Sequence, residues 1–148
     1  MFESIVVGTD GSDTASMAVR QAIELARQHG SRLCIVSAYE PVSDQRLAER
    51  QVEVPDDLQW MVNPRGDVLA TLDAARSQAA GAGVAAVETF ARQGDAADAI
   101  LDVAEEQGSD LIVVGNKGMS GAKRFLLGSV PNKVSHHAPC SVLIIRTT

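Results

Sequence analysis

The sequence predicts an α/β fold: an open five-stranded parallel sheet, Rossmann-like, with helices on both faces. Two observations carry this expectation. Apolar runs rich in valine and isoleucine alternate with stretches of helical periodicity, in the order β-α-β-α-β-α-β-α-β. Three of the runs (IVV, LIVV and VLII) are apolar without interruption, as expected of parallel strands covered on both faces.

The first strand is assigned to residues 4–8. Ala15, Ala18, Val19, Ala22, Leu25 and Ala26 then recur at helical spacing, with Arg20, Glu24, Arg27 and Gln28 on the opposite side. A second strand covers residues 33–39. Residues 40–64 break the pattern with Pro41, Pro55 and Pro64 and many charges. They read as a long connection with one helical turn around 45–51, and connections of this length are usually functional or mobile. Trp60 and Met61 would cover a crevice or a dimer seam. Val68, Leu69, Leu72, Ala75 and Ala79 make the second helix, followed by a strand over 84–90. A third helix, opened by Asp95 and closed near Gly108, contains Ile100, Leu101, Val103 and Ala104. A strand over 111–115, a short helix from Ser129 to about His137 and a last strand over 142–145 complete the order.

A length of 148 residues suits one domain, 1–148, large enough to need neither a disulfide nor a structural metal. Cys34 and Cys140 both sit in apolar stretches and read as small buried hydrophobes. No apolar run approaches the roughly 20 residues that span a bilayer. The start "MFESIVVGTDGS" has no basic segment ahead of its apolar run, so a soluble cytoplasmic protein without a membrane partner is expected. A net charge of −6 argues against nucleic acid as a partner. The charge is unevenly placed, however. Residues 1–110 hold all 19 acids and eight bases, whereas residues 111–148 hold five bases and no acid. Such segregation points to a local anion site, the plainer alternative being chance and a dimer surface.

The basic stretch contains "VVGNKGMSGAKRFLLGS". It matches neither the phosphate loop GxxxxGK[ST] nor the dinucleotide fingerprint GxGxxG. Its pattern is Gly115-x2-Gly118-x9-Gly128-Ser129. Glycines allow a backbone to come close to a ligand, and their exposed N–H groups can form an anion-binding nest. Ser129 is expected to cap the following helix, whose amides and dipole favour phosphate. Lys123 and Arg124 would add electrostatic attraction for phosphate. "SIVVGTDGS" near the start echoes "LIVVGNKGM". If the first and fourth strands meet where the strand order reverses, both G-x-x-G loops face one crevice. Asp10 then suits ribose hydroxyls, or is simply a turn former or helix cap. His136 and His137 are adjacent on a helix and point about 100° apart. They read as complements to the helix dipole, and no metal site is expected.

The glycine pattern, the early "VGTDGS" and the closing "HHAPCSVLII" together resemble the universal stress protein family across essentially the whole chain. The resemblance implies the strand order 3-2-1-4-5 and a homodimer through the last strand. It also implies an adenine nucleotide at the glycine loop, with ATP first and AMP or cyclic AMP as alternatives, and Mg2+ held only through the nucleotide phosphates. By the resemblance, Asp10 meets the ribose or adenine side, and Ala38 lines the adenine pocket through its backbone. Gly115, Gly118, Gly128, Ser129 and Val130 carry the phosphates, and Thr9 and Asn116 complete the candidate set. Ser141 replaces a proline often found in the family's ending, and Ala38 is smaller than the usual valine. An enzyme is not expected: residues 111–148 offer no carboxylate as base, so hydrolysis would be slow and incidental.

Overall fold

The computed structural model describes residues 2–39, 65–116 and 127–147. Its elements are β1 (Ser4–Gly8), α1 (Asp13–His29), β2 (Arg32–Tyr39), α2 (Arg65–Gly81), β3 (Val87–Gln93), α3 (Ala96–Glu106), β4 (Leu111–Gly115), α4 (Ser129–His137) and β5 (Ser141–Ile145). All strand pairs are parallel, and the order across the sheet is β3-β2-β1-β4-β5. The predicted turn at 45–51, Trp60, Met61, Lys117, Gly118, Lys123 and Arg124 lie outside the described residues.

Strand alternation divides the apolar side chains into two cores. Ile5, Val7, Leu33, Ile35, Leu111 and Val113 face α1 and α2. Val6, Cys34, Val36, Ile112 and Val114 face α3 and α4. This explains the unbroken apolar runs of β1 and β4, whose middle residues are all covered. The third such run, VLII, is not covered on both faces as expected: β5 is an edge strand and its Leu143 is exposed. Helix α1 buries Ala18, Val19, Ala22, Ile23 and Ala26, so small side chains bring it close to the central strands. Among the described residues, no helix is long and apolar enough to cross a membrane.

Two further expectations need correction. The third strand lies at 87–93, three residues later than its apolar pattern suggested. Val84 is buried, but it belongs to the turn that closes α2, where its N–H donates to the Ala79 carbonyl at 3.1 Å. Pairing with β2 instead runs from Val87 opposite Leu33 to Gln93 opposite Tyr39. Leu69, placed on the apolar side of the second helix, is 41% exposed, while Val68, Leu72, Ala75 and Ala79 are buried as expected.

Both cysteines are free thiols. Burial pushes each thiol above its ordinary pKa, which suits inert core residues rather than nucleophiles.

Candidate functional site

The carboxyl ends of β1 and β4 are neighbours, with Ile5 opposite Leu111 and Val7 opposite Val113. The chain leaves β1 toward β2 on one side and returns to β4 on the other, so the strand order reverses here. Ligands of open α/β sheets bind in the crevice at such a point. Both G-x-x-G segments begin there.

The turn after β1 is built from its own side chains. The Thr9 N–H continues the sheet by donating to the Val36 carbonyl at 2.9 Å. Thr9 Oγ1 accepts from the Gly11 N–H at 3.1 Å, and Asp10 Oδ1 accepts from the Ser12 N–H at 2.9 Å. Ser12 then caps α1, its Oγ accepting from the Ala15 N–H at 3.1 Å. Asp10 thus forms the turn, Ser12 is the cap, and Asp10 Oδ2 lies outside the turn bond. Gly11 sits at φ +82°, and a Cβ there would lie 3.0 Å from Thr71 Oγ1 on α2. At Gly8 a Cβ would run into Ile100 Cδ1 and lie 2.9 Å from Ile100 Cγ1. Helix α3 therefore crosses directly over the end of β1.

Ala38 is half-buried near the end of β2. Pairing between β1 and β2 stops at Gly8 opposite Val36. The Val36 carbonyl points toward β1, where it accepts from Thr9. Backbone groups two residues apart in a strand point the same way, so the N–H and C=O of Ala38 face the side where β1 has ended. Beside it, the Ser37 hydroxyl is buried and has no hydrogen-bond partner among the described residues. Nothing in the apolar pattern marked Ser37, because a buried serine within a strand looks like a small core residue.

Asn116, placed in the nucleotide set by sequence, ties three segments together. Its N–H donates to the Ile145 carbonyl at 2.8 Å, and its own carbonyl accepts from the Gly128 N–H at 2.9 Å. Its side-chain Oδ1 accepts from the Thr147 N–H at 2.8 Å and from Thr147 Oγ1 at 3.0 Å. Gly115 ends β4 immediately before it.

The start of α4 differs from the expectation. Gly128, not Ser129, is the N-cap residue; its backbone is extended (φ −63°, ψ 165°), and no side chain caps the helix. Ser129 is already helical, so its hydroxyl cannot play the cap role. The N–H groups of Ser129 and Val130 lie in the first turn, where no helix carbonyl can receive them. Pro131 follows and has no N–H. No acidic residue stands in this turn to offset the positive end of the dipole. Further along α4, Lys133 is paired with Asp98 at 2.8 Å and Asp95 at 3.3 Å. The Asp98 N–H, with Lys133 beside it, holds the Asp95 carboxylate below the usual range. Lys133 is therefore matched within the protein. His136 and His137 end α4, their ring centroids 6.5 Å apart.

The universal stress protein family model matches residues 1–146. The chain belongs to the universal stress protein family. Among its family relatives, universal stress protein Rv1636 of Mycobacterium tuberculosis is 38% identical over 147 residues, covering 99% of this chain and 98% of the relative. Universal stress protein YxiE of Bacillus subtilis is 39% identical over 151 residues, covering 99% of this chain and all of the relative (100%). A solved universal stress protein in complex with cAMP superposes with a TM-score of 0.75 at 35% identity, over 99% of both chains. The family member from Archaeoglobus fulgidus in complex with dAMP gives 0.65 at 27% identity, over 97% of this chain and 98% of that one.

Proposed function

We propose that this chain is an adenine-nucleotide-binding regulatory protein of the stress response, cytoplasmic and homodimeric, with ATP as its preferred ligand. The observation that carries the reading is the uncapped, acid-free start of α4 beside the paired ends of β1 and β4. Two amides and the Ser129 hydroxyl are available there to phosphate oxygens, and the helix dipole favours the negative charge. The Gly128 N–H is held by Asn116, so Gly128 contributes close approach rather than a donor. Asp10 Oδ2 suits a ribose hydroxyl, and the backbone edge of Ala38 suits the hydrogen-bonding edge of adenine. The Ser37 hydroxyl, without a hydrogen-bond partner among the described residues, adds a polar group at the same end of the sheet. Gly115 and Gly118 let the chain pass close to the phosphates, with Thr9 and Asn116 holding the two loops in place. The excess of bases in residues 111–148 favours a phosphate chain of higher charge, with Lys123 and Arg124 as its electrostatic partners. Mg2+ would arrive with the nucleotide phosphates.

The relatives bound to cAMP and dAMP support a second reading, in which a one-phosphate adenine nucleotide is preferred. Either way the protein acts as a binding module. Residues 111–148 contain no carboxylate to activate water, so any ATP hydrolysis is slow and incidental. Edge strand β5 would pair with its counterpart in a second copy, which closes the symmetry and covers the edge. Leu143 on this strand is 37% exposed, whereas Val142 and Ile144 pack into the core.

Mass spectrometry of ligand released from the purified protein, followed by calorimetric titration with ATP, AMP and cAMP, tests the reading. The expected result is binding of all three with ATP tightest. Tighter binding of cAMP would select the second reading, and no binding by any of them would overturn both. Sedimentation of Leu143→Lys should shift toward monomer; an unchanged dimer would place the interface elsewhere.

A further inference from the structure

The chain beyond β5 is tied to the start of α4 through a single residue. Asn116 accepts two hydrogen bonds from Thr147 on its side chain and one from the Gly128 N–H on its carbonyl, while its own N–H reaches Ile145. Thr147 is one of the few buried polar residues among the described residues. The Asn116 N–H bond to Ile145 continues the β4–β5 ladder, whereas the other three bonds lie outside any ladder or helix. Together they fix how far the first turn of α4 stands from the end of β4.

We propose that Thr147 and Asn116 are positioning residues for the nucleotide site, so that the segment after β5 helps to set phosphate affinity. The inference rests on the reading of α4 as the phosphate-binding element. Without the Thr147 hydroxyl, the Asn116 side chain keeps only the Thr147 N–H as an anchor, and the backbone at Asn116 is held less firmly. The Asn116 carbonyl then no longer presents a fixed acceptor to Gly128, and the Ser129 and Val130 amides lose their alignment. Small displacements of positioning groups have large effects on a site that relies on aligned dipoles. Coupling is reciprocal: whatever Thr147 contributes to nucleotide affinity, bound nucleotide returns as protection of the Thr147 bonds.

Thr147→Val removes the hydroxyl donor while keeping the branched shape, and Thr147→Ser keeps the donor. Calorimetric titration of the full chain with ATP should show Thr147→Val binding about tenfold more weakly, as expected for loss of one buried hydrogen bond, and Thr147→Ser within about twofold of the parent. Hydrogen exchange at the Thr147 amide of the unmodified protein should slow by a comparable factor at saturating ATP, a change that a purely structural bond would not make. Parent-like ATP affinity in Thr147→Val would overturn the inference. So would exchange at Thr147 that is indifferent to ATP in a protein that binds it. Should Thr147→Val fold poorly, the exchange measurement on the unmodified chain decides alone. If the parent protein binds none of the three nucleotides, the nucleotide reading itself fails and this inference falls with it, an outcome visible before any variant is made.

Discussion

Two segments lie at the carboxyl end of the sheet, and they differ in whether side chains serve the helix start that follows. After β1, three early donors have a side-chain acceptor: Gly11 on Thr9, Ser12 on Asp10, Ala15 on Ser12. An acid, Asp13, also stands in the first turn of α1. Helix α3 repeats the device, with Asp95 capping Asp98 and Asp98 itself in the first turn. Helix α4 has neither a capping side chain nor an acid. Capping usually stabilises a helix by about 1 kcal/mol, so a start left without it forgoes stability that α1 and α3 take. The difference teaches where an outside anion fits: the β1 turn is a finished wall, and the α4 turn is an unfinished one.

The sharpest way to break this contrast is to finish the second wall. Gly128 has an extended backbone that any residue can adopt, so Gly128→Asp should fold. Its carboxylate would take the first-turn amides and repel phosphate, with a Coulomb penalty of roughly 4 kcal/mol at about 4 Å near a protein surface. Allowing for screening, ATP affinity should fall on the order of 100-fold while the urea midpoint holds or rises slightly, the cap being worth a few tenths of a kcal/mol over glycine. Undiminished affinity would show that the phosphates sit elsewhere. Next in size is Gly8→Ala, where the new methyl meets Ile100 beneath α3. Overpacking of this kind costs about 1–3 kcal/mol, measurable by urea unfolding. No loss would mean that α3 has slack over the β1 turn.

Removing a cap from the finished wall is milder. Ser12→Ala should lower stability by about 1 kcal/mol and leave ATP affinity within about twofold, since Ser12 faces its own helix. A large affinity loss would make the β1 turn an active partner rather than a wall. The smallest effect lies at the opposite end of the sheet, where Asp110 Oδ2 and Oδ1 accept from the Glu3 and Ser4 N–H groups. Burial alone would raise the pKa of this carboxyl, but the two amides outweigh it and hold the value below the ordinary aspartate range. The folded value is the lower one, so the contribution is present above the unfolded value of about 3.9 and is lost as pH falls through the depressed one. Asp110→Asn should therefore flatten the acid limb of the stability curve slightly and leave stability at pH 7 modestly reduced.

What the sequence revealed and what it hid follow from the same physics. Strands β1 and β4 fall on residues 4–8 and 111–115 as expected, because full coverage demands unbroken apolar runs and each ends on a glycine. Strand β3 was misplaced because it is an edge strand: Thr89, Arg92 and Gln93 are polar, while the apolar Val84 belongs to a turn. In the candidate site, the glycine pattern located the right stretch of chain, yet the roles within it shifted. Ser129 looked like a cap because serine often is one, but the helix begins one residue earlier than that role requires. Ser12 was overshadowed by Asp10, which makes the turn beside it. The bond between Asn116 and Thr147 spans 31 residues and has no periodic signature, so only the folded chain displays it.

The central pairing of the sheet has a temporal side. Strand β1 reaches its place beside β4 through contacts such as the Ser4 N–H to Asp110 bond, 106 residues apart in the chain. Contacts of such long sequence separation form late, because the intervening loop must close before they reward it. The two walls of the crevice are therefore far apart in the synthesis order, one emerging well before the other. A growing chain on the ribosome has the β1 turn in hand long before there is an α4 for it to face. Nucleotide capture would then serve as a marker of completed folding, one that neither half of the polypeptide can give on its own.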